Sequence, residues 1–172
     1  MILTGSEITR EREQGRICIH PFDAAQVNPN SYNYRLGSTL KVYREMKNNE
    51  PQFDTIRIPE EGYVLRPRVL YLGHTLETLG SSTYALSLIG RSSIGRLGLF
   101  VQYSANLGHT GTSHQWTLEF LAAKPFRLHA GMKIGQVSFW TNEGEVERYR
   151  GAYGAFNEPH ESVLAHAELP RI

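Results

Sequence analysis

Apolar and polar residues alternate with a period of two in several short runs of this chain, and glycine or proline punctuates them. Tyr32, Tyr34 and Leu36 alternate with Asn33 and Arg35. The runs 83–88 and 115–120 alternate in the same way, and Met132 to Trp140 forms a further candidate. Such runs predict half-buried strands. Pro21, Pro29, Pro67, Gly73, Gly80, Gly111, Pro125 and Gly131 fall where turns are needed. No long amphipathic helix separates the strands, which argues against a parallel sheet with crossover helices. A mainly β fold follows, a β-barrel or jelly-roll-like sandwich. One short helix is expected at the start, where Thr4 and Glu7 form a capping-box pattern and Gly15 supplies a stop.

The 172 residues suit one domain spanning 1–172, with a polar segment from about 151 to 172 that frays or folds over something. Eighteen Lys and Arg face seventeen Asp and Glu, so the overall field offers little to a nucleic-acid polymer. A small anion can still meet a local group of arginines. Cys18 is the single cysteine, which excludes an internal disulfide and fits a reducing compartment. No leader pattern and no apolar run of membrane length is present, so a cytoplasmic protein without membrane attachment is expected.

Two features carry candidate chemistry. The first is Gly90-Arg91-Ser92-Ser93-Ile94-Gly95-Arg96-Leu97-Gly98-Leu99. Arginine forks and serine hydroxyls beside glycine backbone suit phosphate oxygens, although this is not a P-loop. The same residues would equally make a solvated surface turn. The second is Glu119. Strand alternation puts Trp116, Leu118 and Phe120 on one face, and Thr117, Glu119 and Leu121 on the other. Three large apolar side chains claim the core, so Glu119 points away from it, either as an ordinary exposed carboxylate or as a functional one. His109 and His114 stand near Glu119, but a zinc deaminase needs two cysteine thiolates in a P-C-x-x-C pattern, and one cysteine cannot supply them. Both histidines are expected in loops. Trp116 and Trp140 are expected in the core and in strand pairing.

The segment Gly90 to Leu99 resembles the signature of the dCTP deaminase family, with only Ile94 differing. Ile17 to Asp23, Asn28 to Gly37, Trp116 to Glu119, Leu128 to Gln136 and Tyr149 to Gly154 resemble further family segments in the same order. The resemblance implies the family's trimeric dUTPase-like fold, a distorted β-barrel or jelly roll. Active sites would lie between the subunits of a homotrimer, with the C-terminal tail closing over the nucleotide. It further implies deamination without zinc, Mg²⁺ accompanying the triphosphate, and dCTP or a related pyrimidine nucleotide as substrate. Glu119 then stands as the general base that activates water for attack on C4. Ser92 would hold that water and Glu119, and Arg96 would stabilise the site. Arg91 and Ser93 would contact phosphate, and the backbone around Ala105 and Thr117 would read the base and place the water.

This chain departs from the family pattern in the turn Gly108 to Thr112. His109 replaces an aspartate there, and Leu107 replaces a frequent arginine. In the tail, Ala152 replaces a glutamine and Arg148 stands where a lysine is usual. His109, Arg148 and Tyr149 are therefore candidate sugar and phosphate contacts. No Asp or Glu lies between Ala105 and Leu118 to position a water at the α-phosphate. The expected product is accordingly dUTP with its phosphate chain intact. A dUTPase, a bifunctional enzyme giving dUMP, and a non-catalytic nucleotide-binding protein are the alternatives.

Overall fold

Thr4 caps the first helix as the pattern requires. Its hydroxyl accepts the Glu7 N–H at 3.4 Å, and the helix Gly5–Glu13 follows. Gly15, with φ at +73°, adopts the left-handed turn beyond its end. The computed structural model describes residues 1–48 and 50–163. After the helix the fold is mainly β, and every strand pairing is antiparallel. One five-stranded sheet runs Leu99–Val101, Thr117–Ala122, Tyr71–His74, Thr39–Lys47, Glu50–Arg57. The other runs Leu107–Gly108, Tyr84–Gly90, Lys133–Thr141, Ser31–Arg35, Val27–Asn28. A three-stranded sheet joins Ile17–His20, Thr78–Ser81 and Ser113–His114, and Phe126–Leu128 pairs with Tyr63–Leu65.

Both large sheets feed one buried cluster. Leu40, Tyr71, Leu118 and Phe120 enter from the first, and Tyr32, Tyr34, Leu88 and Phe139 from the second. Removing these side chains from water is the main stabilising term. The alternating runs therefore become strands as expected, with small shifts at their ends. The run 115–120 becomes the strand Thr117–Ala122 because residues 115 and 116 are claimed elsewhere. The Gln115 N–H goes to Asn157 Oδ1 and the Trp116 N–H to Thr75 Oγ1. Trp116 is half-buried against the core, whereas Trp140 pairs with Ala85 in its ladder yet stays exposed, a correction to its expected burial. The hairpin of Thr39–Lys47 with Glu50–Arg57 has no clear sequence signal. Its distal end is charged and exposed.

Two buried carboxylates fasten the layers. Glu77, fully buried, accepts the Arg35 backbone N–H at 2.8 Å and its Nε–H at 2.7 Å. Glu11 pairs with Arg16 and accepts the Tyr84 hydroxyl at 2.7 Å, tying the first helix to the second large sheet. The Arg16 hydrogen bond holds the Glu11 carboxyl down at about 2, against the opposing effect of burial. Among the described residues no helix is long and apolar enough to cross a membrane.

Candidate active site

The strand Thr117–Ala122 alternates as its sequence demands. Leu118, Phe120 and Ala122 are buried, while Thr117, Glu119 and Leu121 lie half-exposed on the other face. Neighbours on both sides hold the strand in register: Glu119 pairs with Leu72, and Phe120 with Val101. One residue beyond Val101, the Gln102 N–H donates to the Glu119 carbonyl at 3.0 Å. There the chain leaves the ladder, with Gln102 at φ +56°. The following loop turns back over the Glu119 side chain. Ser104 Oγ donates to Glu119 Oε2 at 3.0 Å, and Gln102 Nε2 donates to Ala105 O at 2.6 Å.

Glu119, Thr117 and Ala105 line one cleft of about 760 Å³, a volume suited to a nucleotide-sized ligand. Tyr43, Phe53 and Leu72 give it an apolar wall from the hairpin side. The C-terminal segment closes the opposite side. The Tyr149 N–H donates to Thr110 O at 3.0 Å, and its ring stacks on His109 with centroids 5.1 Å apart. Further on, the His160 N–H donates to Thr117 Oγ1 at 3.1 Å, and Lys41 Nζ to Glu161 Oε1 at 2.6 Å. The tail can come this close because residue 111 is glycine. Its φ is +95°, and a Cβ there would lie 2.8 Å from Arg148 Cβ. Arg148 lines a smaller hollow of about 410 Å³ that shares His109 and Tyr149 with the main cleft. Residues 164–172 of the expected tail lie outside the described residues.

His114 is not the loop residue the sequence suggested. It sits in the strand Ser113–His114, buried, and it lines the cleft. Its Nδ1 faces two carbonyls, Gln115 O at 3.0 Å and Phe156 O at 3.1 Å, so Nδ1 carries the proton. Burial pushes its pKa down, which keeps the ring neutral.

The expected site residues fall into two groups. Glu119, Thr117, Ala105, His109 and Tyr149 converge on the cleft, with Arg148 in the hollow beside it. Arg91, Ser92, Ser93 and Arg96 do not line it. They surround the short helix Ser92–Gly95, with both serines and Arg96 exposed, and Arg91 Nη1 donates to Lys133 O at 3.5 Å. Within one chain, Ser92 and Arg96 have no hydrogen bond to Glu119. Ser104 holds its carboxylate instead. Sequence reasoning missed Gln102, Ser104 and the tail residues Phe156 and His160. Gln102 and Ser104 lie in the irregular stretch between two recognisable segments, where no periodicity marks them. Among the described residues no group of three or more His, Cys, Asp or Glu side chains is placed to hold a metal ion.

A model of dCTP deaminase-like domains matches residues 2–142. The chain belongs to the dCTP deaminase-like family. A family member from Leptospira biflexa, named "dCTP deaminase, dUMP-forming", is 46% identical over 169 residues, covering 95% of this chain and 96% of that protein. A Cytophaga hutchinsonii family member of the same name is 40% identical over 174 residues, covering 99% of this chain and 100% of its own length. The crystal structure of a 2'-deoxycytidine 5'-triphosphate deaminase from Agrobacterium tumefaciens shares the fold with a TM-score of 0.67. That match is 21% identical and covers 82% of this chain but only 48% of the other. The names of these family members overturn the expectation of dUTP as product, because they describe deamination that ends at dUMP. That expectation rested on the lack of a carboxylate between Ala105 and Leu118. The folded cleft also draws polar groups from outside that stretch, such as Glu161 from the tail, so a count along one turn does not give its full polar lining.

Proposed function

We propose that this chain deaminates dCTP and carries the product on to dUMP and pyrophosphate. The observation that carries the reading is 40–46% identity, over nearly the whole chain, to proteins named for that reaction. The cleft around Glu119 supports it. Glu119 takes a proton from water as the water oxygen bonds to C4 and passes it to the ring nitrogen N3; it then moves the proton of the new C4 hydroxyl to the amine, so that the C4–N bond breaks, ammonia leaves and the C4 carbonyl forms. Ser104 orients the carboxylate from within the same chain. In the second hydrolysis a water oxygen bonds to the α-phosphorus, and the bridge to the β-phosphate breaks to release pyrophosphate. Mg²⁺ enters with the triphosphate, whose oxygens suit a hard cation, and no zinc is required.

Ser92, Arg96, Arg91 and Ser93 act on the cleft of a neighbouring copy in a homotrimer. Leu97 and Phe100, both large, apolar and exposed, support an interface beside that segment. The tail from Tyr149 to Glu161 covers the nucleotide from its own subunit. Product analysis tests the reading. Protein, Mg²⁺ and dCTP are incubated, nucleotides are separated by anion exchange, and ammonia and pyrophosphate are measured. Ammonia, pyrophosphate and dUMP in equal amounts are expected. Ammonia with dUTP accumulating as the end product would refute the second hydrolysis, and light scattering showing a fully active monomer would refute the shared site.

A further inference from the structure

Gln102 leaves its strand in the left-handed region, at φ +56°. Residues other than glycine are sparse there, and held examples cluster at ligand clamps and active sites. Two contacts hold it, its N–H to Glu119 O and its side-chain Nε2 to Ala105 O at 2.6 Å. The second contact also orients the amide, since the flipped form would set one oxygen against another. Gln102 Oε1 is thereby left as a buried acceptor with no partner among the described residues, in a side chain that lines the cleft beside Glu119, Ala105 and Thr117. A buried acceptor without a donor destabilises the free protein, and a ligand that brings a donor satisfies it.

Few parts of a deoxynucleoside triphosphate can do so. Ionised phosphate has only acceptors. The 3'-hydroxyl lies on the sugar, away from C4. The 4-amino group of cytosine is a donor attached directly to C4, the atom that must lie against Glu119. Uracil presents a carbonyl oxygen at the same place. We propose that Gln102 Oε1 accepts a hydrogen bond from the 4-amino group of the cytosine ring and makes the site prefer cytosine over uracil. This rests on the reading of Glu119 as the deaminating base. The contact orients the amine for the proton that Glu119 delivers. Once ammonia has left, the new carbonyl oxygen faces Oε1 where the donor stood.

The test uses full-length Glu119→Ala protein with Mg²⁺. Alanine stops turnover and offers no group to the base. Binding of three α,β-imido deoxynucleoside triphosphates, whose bridge resists cleavage, is measured by calorimetry. Their bases are cytosine, pyrimidin-2-one without a 4-substituent, and uracil. Cytosine should bind about tenfold more tightly than pyrimidin-2-one, and uracil more weakly than either. In Glu119→Ala/Gln102→Leu the three affinities should fall within about threefold of one another, which a merely structural loss would not produce. Equal weakening of all three analogues by Gln102→Leu would overturn the proposal. So would uracil binding as tightly as pyrimidin-2-one while Gln102 is intact, a comparison that stands even where leucine fails to fold in the left-handed conformation. Failure of the underlying reading looks different: Glu119→Ala would go on releasing ammonia, or the cytosine analogue would not bind at all.

Discussion

Replacing Glu119 by glutamine separates chemistry from folding. Glu119 lies on the cleft face of its strand, half-exposed, and Leu118 and Phe120 carry the core contacts on the other face. Among the described residues its side chain makes one hydrogen bond, as acceptor from Ser104 Oγ at 3.0 Å. A glutamine carbonyl can accept the same bond, so stability should change by no more than about 0.5 kcal/mol and Tm by about 2 °C or less. The amide cannot take a proton from water. Loss of a general base costs about 10²- to 10⁴-fold in turnover, or about 3 to 5 kcal/mol of barrier. Ammonia release from dCTP at saturating concentration, followed beside a thermal melt, checks both halves. Turnover within about tenfold of the parent, with the melt unchanged, would remove Glu119 from the mechanism. A collapse in Tm would show that the carboxylate holds the loop of Ser104 and Ala105 together rather than acting on water.

Glu77→Ala leaves the Arg35 guanidinium without its buried partner and should cost about 3–5 kcal/mol in urea unfolding; a loss under about 1 kcal/mol would refute the buried clamp. Gly111→Ala sets a Cβ against Arg148 at a φ of +95°, so the tail should lift and residues 149–163 should become sensitive to limited proteolysis. An unchanged digestion pattern would contradict the close approach. The Glu11 carboxyl titrates below its ordinary 4.5, at about 2 in the folded chain, so its contribution to stability is present above about pH 4.5 and lost as pH falls through about 2. Urea unfolding between pH 5 and pH 2 should show a steeper loss for the parent than for Glu11→Gln, and parallel curves would refute the assignment.

Much of the architecture is legible without coordinates because strand alternation is a local property. Tyr32 and Tyr34, or Leu118 and Phe120, declare a buried face through spacing alone, and the same spacing turns Glu119 away from the core. Thr4 and Glu7 declare a helix start because capping acts over three residues. The ordered segments from Ile17 to Gly154 carry the family resemblance, since residue types in sequence suffice for that. What tertiary structure decided depends on groups far apart in the chain. Gln102 matters because it leaves the ladder with positive φ and spends its amide on Ala105, and no pattern in the sequence encodes that bond. His114 is a buried ring whose pKa burial pushes down, and its Nδ1 faces the carbonyl of Phe156, 42 residues away. The expected dUTP product, which the names of the similar proteins overturn, was read from one local turn. It counted carboxylates along one turn, whereas a cleft is assembled from whatever segments the fold brings to it, and only the folded chain sets Glu119, His114 and the tail around one space.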